Sequence, residues 1–316
     1  KTELVNAVAE KVGASGSFGE NLTWNLSSSG KLTISGSGYM DDYSLIAGSY
    51  APWLDYYDSI TSVVINKGVR NIGSEAFIIC ENLKSVSIPS TVEYIGISAF
   101  EECYSLTSIS IPEGVEYIYP FAFSMSGITS LNIPASVIYV GECVTAMCSS
   151  LKTISVSSGN EYYVVLNNCL VSRESKTLIA GCIGSTIPDD PFLVHYIGEY
   201  AFRQCSSLKG DLIIPDSVTA IGNYAFYDCE NLDFIDYVEG FGFVEAIGSF
   251  SDISMICEGW GVAGVNLSIG YRDEHTYTEI LSVGHMLQTI DNEFFLCYNY
   301  HKIQTSCSMA KGASFY

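Results

Sequence analysis

Basic side chains are scarce in this sequence: 14 Lys and Arg stand against 35 Asp and Glu, a formal net charge of −21. A surface of that sign repels phosphate backbones and anionic headgroups, which sets aside nucleic acid and anionic membranes as partners. No uninterrupted apolar run approaches the ~20 residues that span a bilayer, so no membrane insertion is expected. Residues 1–12 lack the apolar centre of an export signal, although Lys1 is not an initiator methionine and a signal already removed is compatible with what remains. The four histidines, His195, His275, His285 and His301, are not spaced with cysteines or carboxylates as a zinc site requires, and no phosphate-cradling glycine loop or nucleophile elbow appears. Asp41-Asp42 and Asp189-Asp190 lack the alternating oxygen ligands of a calcium loop. No catalytic residue, metal or cofactor is therefore expected. Charged residues make up only 16% of the chain against 48% hydrophobic, with 22 Tyr and 15 Phe; a chain of this composition folds.

What is abundant is repetition. Ile88-Pro89, Val92, Ile95-Gly96, Ala99-Phe100, Cys103 and Leu106 form a phrase with an earlier copy at Ile65, Phe77, Cys80 and Leu83. Phe77, Phe100 and Phe123 step by 23 residues, and Phe202 and Phe226 follow Ile197-Gly198 and Ile221-Gly222. A period of 20 to 29 residues predicts an α/β leucine-rich-repeat solenoid, β-rich, with short strands and short helical or 3-10 turns. Val86 and Ile88 point inward and Ser85 and Ser87 outward by the period-2 rule. Pro89, Pro112, Pro134 and Pro215 end their strands by removing a ladder donor. The Gly96–Phe100 stretch reads as a turn with a short helical return.

Five of the eleven cysteines (Cys80, Cys103, Cys148, Cys205 and Cys229) occupy one repeat position. Stacked at the ~4.8 Å strand spacing, neighbours are not excluded from pairing by Cα distance, but a small soft side chain filling each coil is the favoured reading. The odd total leaves at least one thiol unpaired, which suits a reduced or oxygen-poor setting.

Three parts are expected. Over 13–59, Leu22–Leu26 and Lys31–Ser35 alternate apolar and polar residues around Ser27–Gly30, a β-hairpin that with Trp53 makes an N-terminal cap. The solenoid then runs over 60–236. After the Ile154-Ser155-Val156 strand the next Ile-Pro, Ile187-Pro188, comes 31 residues later rather than 23, and the stretch between holds a hairpin insert near 160–184, read as short antiparallel strands at Tyr162–Leu166, Cys169–Ser172 and Thr177–Ala180. Such inserts map to loops on one face, often the binding face. Residues 237–316 read as degenerate repeats and a C-terminal cap, with Val283, Leu287, Ile290 and Phe295 repeating the Ile88–Phe100 spacing.

The phrase resembles the BspA-type, or Treponema-type, leucine-rich repeat of cell-surface proteins, over roughly residues 60–235. The resemblance implies a curved β-rich solenoid at the cell surface, secreted or wall-associated, engaged in adhesion to host proteins or other cells. Departures occur where Gly becomes Tyr119, Cys becomes Ser126, and Ala-Phe becomes Val144-Thr145; they put local packing in doubt.

Three sets of residues are candidate binding positions. Ser85, Ser87, Ser108, Ser110, Ser130, Asn132, Thr153 and Ser155 form an outward hydroxyl ladder that could meet a glycan or an extended peptide, or be only solvated. Tyr94, Tyr117, Tyr139 and Tyr196 form a column that is a stacking platform if exposed and packing if buried. Tyr162 and Tyr163 on the inserted hairpin are the third set. The expected function is a non-enzymatic, adhesin-like surface protein binding a protein or glycan ligand, acting as a monomer; the alternative is a structural spacer in a larger wall-associated assembly. A glycosidase would need facing carboxylates, which the repeats do not supply.

Overall fold

The computed structural model describes residues 13–19, 21–205, 208, 210–211, 214–227, 229 and 232–233, and the strands Ile253–Cys257, Val262–Leu267 and Phe294–Tyr298. It is a β-solenoid of about seven turns with very little helix. A coil typically contributes a first strand, a two-residue second strand and a return segment. In the first column, Lys31–Gly36, Ser62–Ile65 and Ser85–Ser87 stack in parallel, with Leu32↔Val63 and Val63↔Val86 in register. Ser130–Ile133 and Thr153–Val156 form a separate parallel pair, because Thr107–Ile111 is not in strand conformation. The second column stacks Asn71–Ile72, Tyr94–Ile95, Tyr117–Ile118 and Tyr139–Val140, all parallel.

The return segments are not helices. Glu75, Phe77 and Ile79 donate their N–H groups to Ile97, Ala99 and Glu101 of the next coil, and Ser98, Phe100 and Glu102 donate to Pro120, Ala122 and Ser124. Residues in between close turns within their own coil, as Ala76 does to Gly73 and Cys80 to Phe77. The outer members of each set, Glu75 and Ile79, Ser98 and Glu102, have φ between 52° and 59°. A left-handed residue costs roughly 1–2 kcal/mol and interrupts a helix. Here it turns alternate N–H groups toward the next coil, which satisfies buried backbone that a short isolated helix would leave open. Among the described residues the helical segment is Leu54–Ser59, a 3-10 turn in the N-terminal region.

Inside the coils Phe77, Phe100 and Phe123 stack at 5.4 and 6.0 Å, with planes within 15°. Trp53 extends the stack at its start, 5.6 Å from Phe77. Its indole N–H donates to Ala76 O at 2.7 Å, and Tyr43 N donates to Ser74 O at 3.0 Å. These two carbonyls match Ile97 O and Ala99 O one coil on, so the cap supplies the donors a preceding coil would have given. Ahead of them, Leu22–Leu26 pairs antiparallel with both Ser15–Phe18 and Lys31–Gly36.

The insert forms strands Tyr163–Leu166, Cys169–Ser172 and Thr177–Ala180, paired antiparallel. It does not protrude: Cys169–Ser172 and Thr177–Ala180 are wholly buried. Leu170, Ile179 and Ala180 pack into the core on the N-terminal side, whereas Cys169, Val171 and Leu178 pack into the core on the C-terminal side. A sheet buried on both faces explains why these segments read as apolar runs rather than alternating ones. Thr177–Leu178 then pairs in parallel with Tyr196–Ile197, which restarts the second column toward Ala220–Ile221. Gly181 lies against Phe202, where a Cβ would come within 2.2 Å of the ring, and Phe202 and Phe226 resume the stack at 5.3 Å. Ile253–Cys257 pairs antiparallel with both Val262–Leu267 and Phe294–Tyr298, with Ile221↔Val265 joining them to the second column. Val283, Leu287 and Ile290 lie outside the described residues.

Replacing Phe100 by alanine removes the middle ring of a fully buried stack. It should cost ~3–5 kcal/mol and lower the melting temperature by several degrees; an unchanged denaturation curve would show that the ring is not interior.

Candidate binding surface

The outward serines lie where alternation places them: Ser85, Ser87, Ser108, Ser110, Asn132 and Ser155 are all exposed. They do not form one continuous ladder, because the sheet that carries them divides at Ser108 and Ser110. Beyond the division, Ser155 Oγ donates to Asn132 Oδ1 at 2.9 Å and Asn132 Nδ2 donates to Ser157 Oγ at 3.1 Å. The polar groups of this face are thus partly engaged with one another.

The tyrosine column is more continuous. Tyr94, Tyr117 and Tyr139 stand in register on adjacent second-column strands, the first two half-buried and Tyr139 42% exposed. Tyr119, at the position that is glycine in most coils, is half-buried and fills the space between them. Its ring lies 5.9 Å from Tyr94, 6.3 Å from Tyr117 and 5.9 Å from Tyr139. At the N-terminal end Tyr39, 45% exposed, stacks on Tyr94 at 6.3 Å. Five rings are therefore connected from the cap to the fourth coil, with Tyr119 as the hub.

Tyr196 sits in the second column beyond the insert, paired with Thr177 and Ala220 rather than with the other three. Burial, reinforced by Glu142 and Glu199, raises the pKa of its hydroxyl. Of the hairpin pair, Tyr162 is 40% exposed, but Tyr163 is only 5% exposed. The Tyr163 hydroxyl accepts Val140 N–H at 2.6 Å, closing the ladder where the next second-column strand would stand, and burial pushes its pKa up to about 12. Tyr163 is therefore a packing residue and is withdrawn from the surface.

The strip ends on a charged group that repeat arithmetic did not indicate. Arg70 precedes Asn71 as Glu93 precedes Tyr94, and the two form an ion pair across one coil spacing, with Arg70 Nε to Glu93 Oε1 at 3.0 Å. Tyr39 donates its hydroxyl to Glu93 Oε2 at 2.8 Å, and the Arg70 guanidinium lies 5.0 Å from the centre of the Tyr39 ring. Glu93 is held below its ordinary pKa by Arg70 first and Tyr39 second. The Tyr39 hydroxyl is raised, chiefly because it donates to that carboxylate. Tyr119 was visible in the sequence as a departure from glycine; Tyr39 could not be placed, because it lies outside the repeat.

The cysteine column is chemically quiet. Cys103 Sγ donates back to Phe77 O at 3.2 Å, Cys148 to Phe123 O at 3.0 Å and Cys229 to Phe202 O at 3.0 Å. Cys205 does the same to Cys182 O at 3.2 Å. Eight cysteines, Cys80, Cys103, Cys143, Cys148, Cys169, Cys182, Cys205 and Cys229, are buried. Burial pushes Cys80, Cys143 and Cys169 up to about 12 and Cys148 and Cys182 to about 11. Among the described residues no group of three or more His, Cys, Asp or Glu could hold a metal ion, and no helix is long and apolar enough to cross a membrane.

Stacked coils with parallel strand columns and an interior Phe, Cys and Ile phrase define a β-solenoid of the leucine-rich-repeat class. The model of the BspA-type leucine-rich repeat region matches residues 54–170 and 185–256 in six copies. The chain belongs to the BspA-type leucine-rich repeat family. No curated protein matches it. Among solved structures it is similar to a leucine-rich repeat protein from Eubacterium ventriosum, at 27% identity over 71% of this chain and 73% of that one, with a TM-score of 0.53. Matches of lower TM-score include the pneumococcal vaccine antigen PcpA, 21% identical over 71% and 70% of the two chains at 0.49. A leucine rich cell surface protein from Faecalibacterium prausnitzii is 22% identical over 72% and 78% at 0.45.

The thiols carry a pH prediction. In the unfolded chain they lose protons near pH ~8.5, whereas in the fold Cys80 and Cys148 keep them to about 12 and about 11. Between these limits the unfolded state binds fewer protons, so stability is complete below pH ~8.5 and falls as pH rises through the window. The urea midpoint should drop from about pH 8 to about pH 10, and less steeply in Cys103→Ala. A thiol reagent at pH ~8 should label none of these eight of the eleven cysteines until the chain unfolds; rapid labelling mapped to any of the eight in the native protein would contradict their burial.

Proposed function

We propose that this is a non-enzymatic binding protein of the bacterial cell surface, adhesin-like, that engages a protein ligand through its tyrosine strip. The observation that carries the reading is the chain of five touching rings, Tyr39, Tyr94, Tyr119, Tyr117 and Tyr139, each at least partly exposed. Tyrosine offers a large apolar body with a polar tip at small entropic cost, and so is enriched at binding hot spots. The strip lies on rigid, hydrogen-bonded strands, so little order must be gained on binding. A non-enzymatic role is supported by the state of the likeliest nucleophiles: the thiols are raised rather than lowered, the opposite of an activated cysteine, and Ser155 donates to an amide oxygen rather than to a base. Surface location is supported by membership of the BspA-type leucine-rich repeat family.

The test is an array of matrix proteins and glycans probed with the full chain. We expect binding to at least one protein target, lost on Tyr139→Ala and kept on Ser87→Ala. Absence of binding to every target would favour the spacer role, and loss with Ser87→Ala instead would move the site to the serine face.

A further inference from the structure

Both arginines whose guanidinium groups can be located on aromatic surface rest on tyrosine. Arg70 lies 5.0 Å from the Tyr39 ring centre, and Arg203 lies 4.9 Å from both Tyr200 and Tyr227. The sequence holds only four arginines in all; of the three described, Arg173 instead donates Nε–H to Tyr163 O at 3.2 Å. At Arg70 the seat is complete: a ring face beneath the guanidinium, and the Glu93 carboxylate beside it. A ring face and a carboxylate recognise the two properties of a guanidinium, its flat polarisable surface and its directed N–H donors.

Parallel register repeats the position of the carboxylate one coil further on. Arg70, Glu93 and Glu116 occupy equivalent positions, because Asn71 pairs with Tyr94 and Tyr94 with Tyr117. Glu93 is engaged by Arg70 and Tyr39. Glu116 is exposed, directly precedes Tyr117, and has no side-chain partner among the described residues. On the same stretch the Tyr119 ring touches those of Tyr117 and Tyr139, and no arginine among the described residues lies on the three. The fold thus pairs a carboxylate with a ring stacked on the column tyrosine twice, Glu93 with Tyr39 on Tyr94 and Glu116 with Tyr119 on Tyr117, the first holding a guanidinium, on a chain of net charge −21.

We propose that the tyrosine strip docks an arginine-bearing, basic segment of a partner protein, with one guanidinium seated on the Tyr117–Tyr119–Tyr139 rings beside Glu116, in the manner of Arg70 on Tyr39 beside Glu93. This rests on the strip being the binding surface and names the chemistry of its ligand. An incoming arginine gains a ring contact and a charge-assisted hydrogen bond together. A lysine, a compact and strongly hydrated charge, matches the flat ring less well. The long-range field draws a basic segment in, and the strip selects among basic segments.

The experiment is fluorescence anisotropy of the full chain with a labelled peptide of alternating Arg and Gly. Its controls are the Lys-for-Arg counterpart, the citrulline counterpart, which keeps the shape and loses the charge, and a labelled neutral oligosaccharide. Tyr119→Gly serves as the main variant because it installs the residue most coils carry at that place, and melting curves confirm its fold. Glu116→Gln is the second. We expect the arginine peptide to bind, to weaken as salt rises, to exceed the lysine peptide severalfold, and to lose about tenfold in affinity with either variant. The citrulline peptide should not bind. Equal binding of the lysine and arginine peptides, or arginine binding untouched by both variants, would reduce the effect to bulk charge and overturn the proposal. Oligosaccharide binding lost in Tyr119→Gly, with no arginine binding, would overturn it while leaving the strip as the binding surface. No probe binding at the strip would overturn both.

Discussion

Forward donation of backbone N–H groups, from each return segment to the next, is the constraint on which the molecule depends. Glu75, Phe77 and Ile79 bond to the following coil, and so do Ser98, Phe100 and Glu102. Once those bonds are fixed, equivalent residues must lie one above another. Phe77, Phe100 and Phe123 then stack ring on ring, the thiols of Cys103 and Cys148 reach back to the preceding phenylalanine carbonyl, and Tyr94, Tyr117 and Tyr139 line up outside. At Glu75, Ile79, Ser98 and Glu102 the left-handed conformation is what this alignment costs in backbone strain, and it is tolerated because the bond it enables satisfies a group buried by stacking. Interior packing and outer recognition are therefore products of the same register.

Where the period lengthens, the chain does not abandon this logic. A three-stranded antiparallel sheet replaces a coil and buries its two faces in opposite directions, Leu170 and Ile179 one way and Val171 and Leu178 the other. Its last strand re-enters the parallel column at Tyr196. Tyr163 and Asn168 close what would be loose ends on the N-terminal side: Tyr163 takes Val140 N–H, and the Asn168 amide takes Ile154 N–H while donating to Lys152 O. The insert is an internal adaptor between two stacks, and the surface consequence falls on the strip, which stops at Tyr139.

Sequence and structure agree most closely where a side chain's place depends on its own coil. Phe, Cys, Ile and Val positions, the hairpin strands near Leu22 and Lys31 and those of the insert, and the outward serines follow from spacing and alternation. The return segment was read as helical because Ala99 and Phe100 follow a glycine turn; bonds to the next coil decide otherwise. Features that need two distant coils were not legible. The contact of Tyr39 with Glu93 spans 54 residues, and Tyr119 looked like a weakened coil because a lost glycine is visible in sequence whereas the three rings it joins are not. Tyr163 read as a surface residue beside Tyr162, yet its ring turns inward, where its hydroxyl meets Val140 N–H across 23 residues.

The two ends of the stack are chemically unlike. At the start, the carbonyls of Ser74 and Ala76 need donors, which Tyr43 N–H and the Trp53 indole provide; at the finish, a closing unit must offer acceptors instead. Such a molecule has a polarity like that of a filament with a plus and a minus end. A coil copied or lost between the ends presents the same donors and acceptors as its neighbour, so length can change in steps of one repeat without redesign of either terminus. Exchange of the two closing units would set donor against donor, so a lineage can readily make such a protein longer or shorter but cannot reverse it.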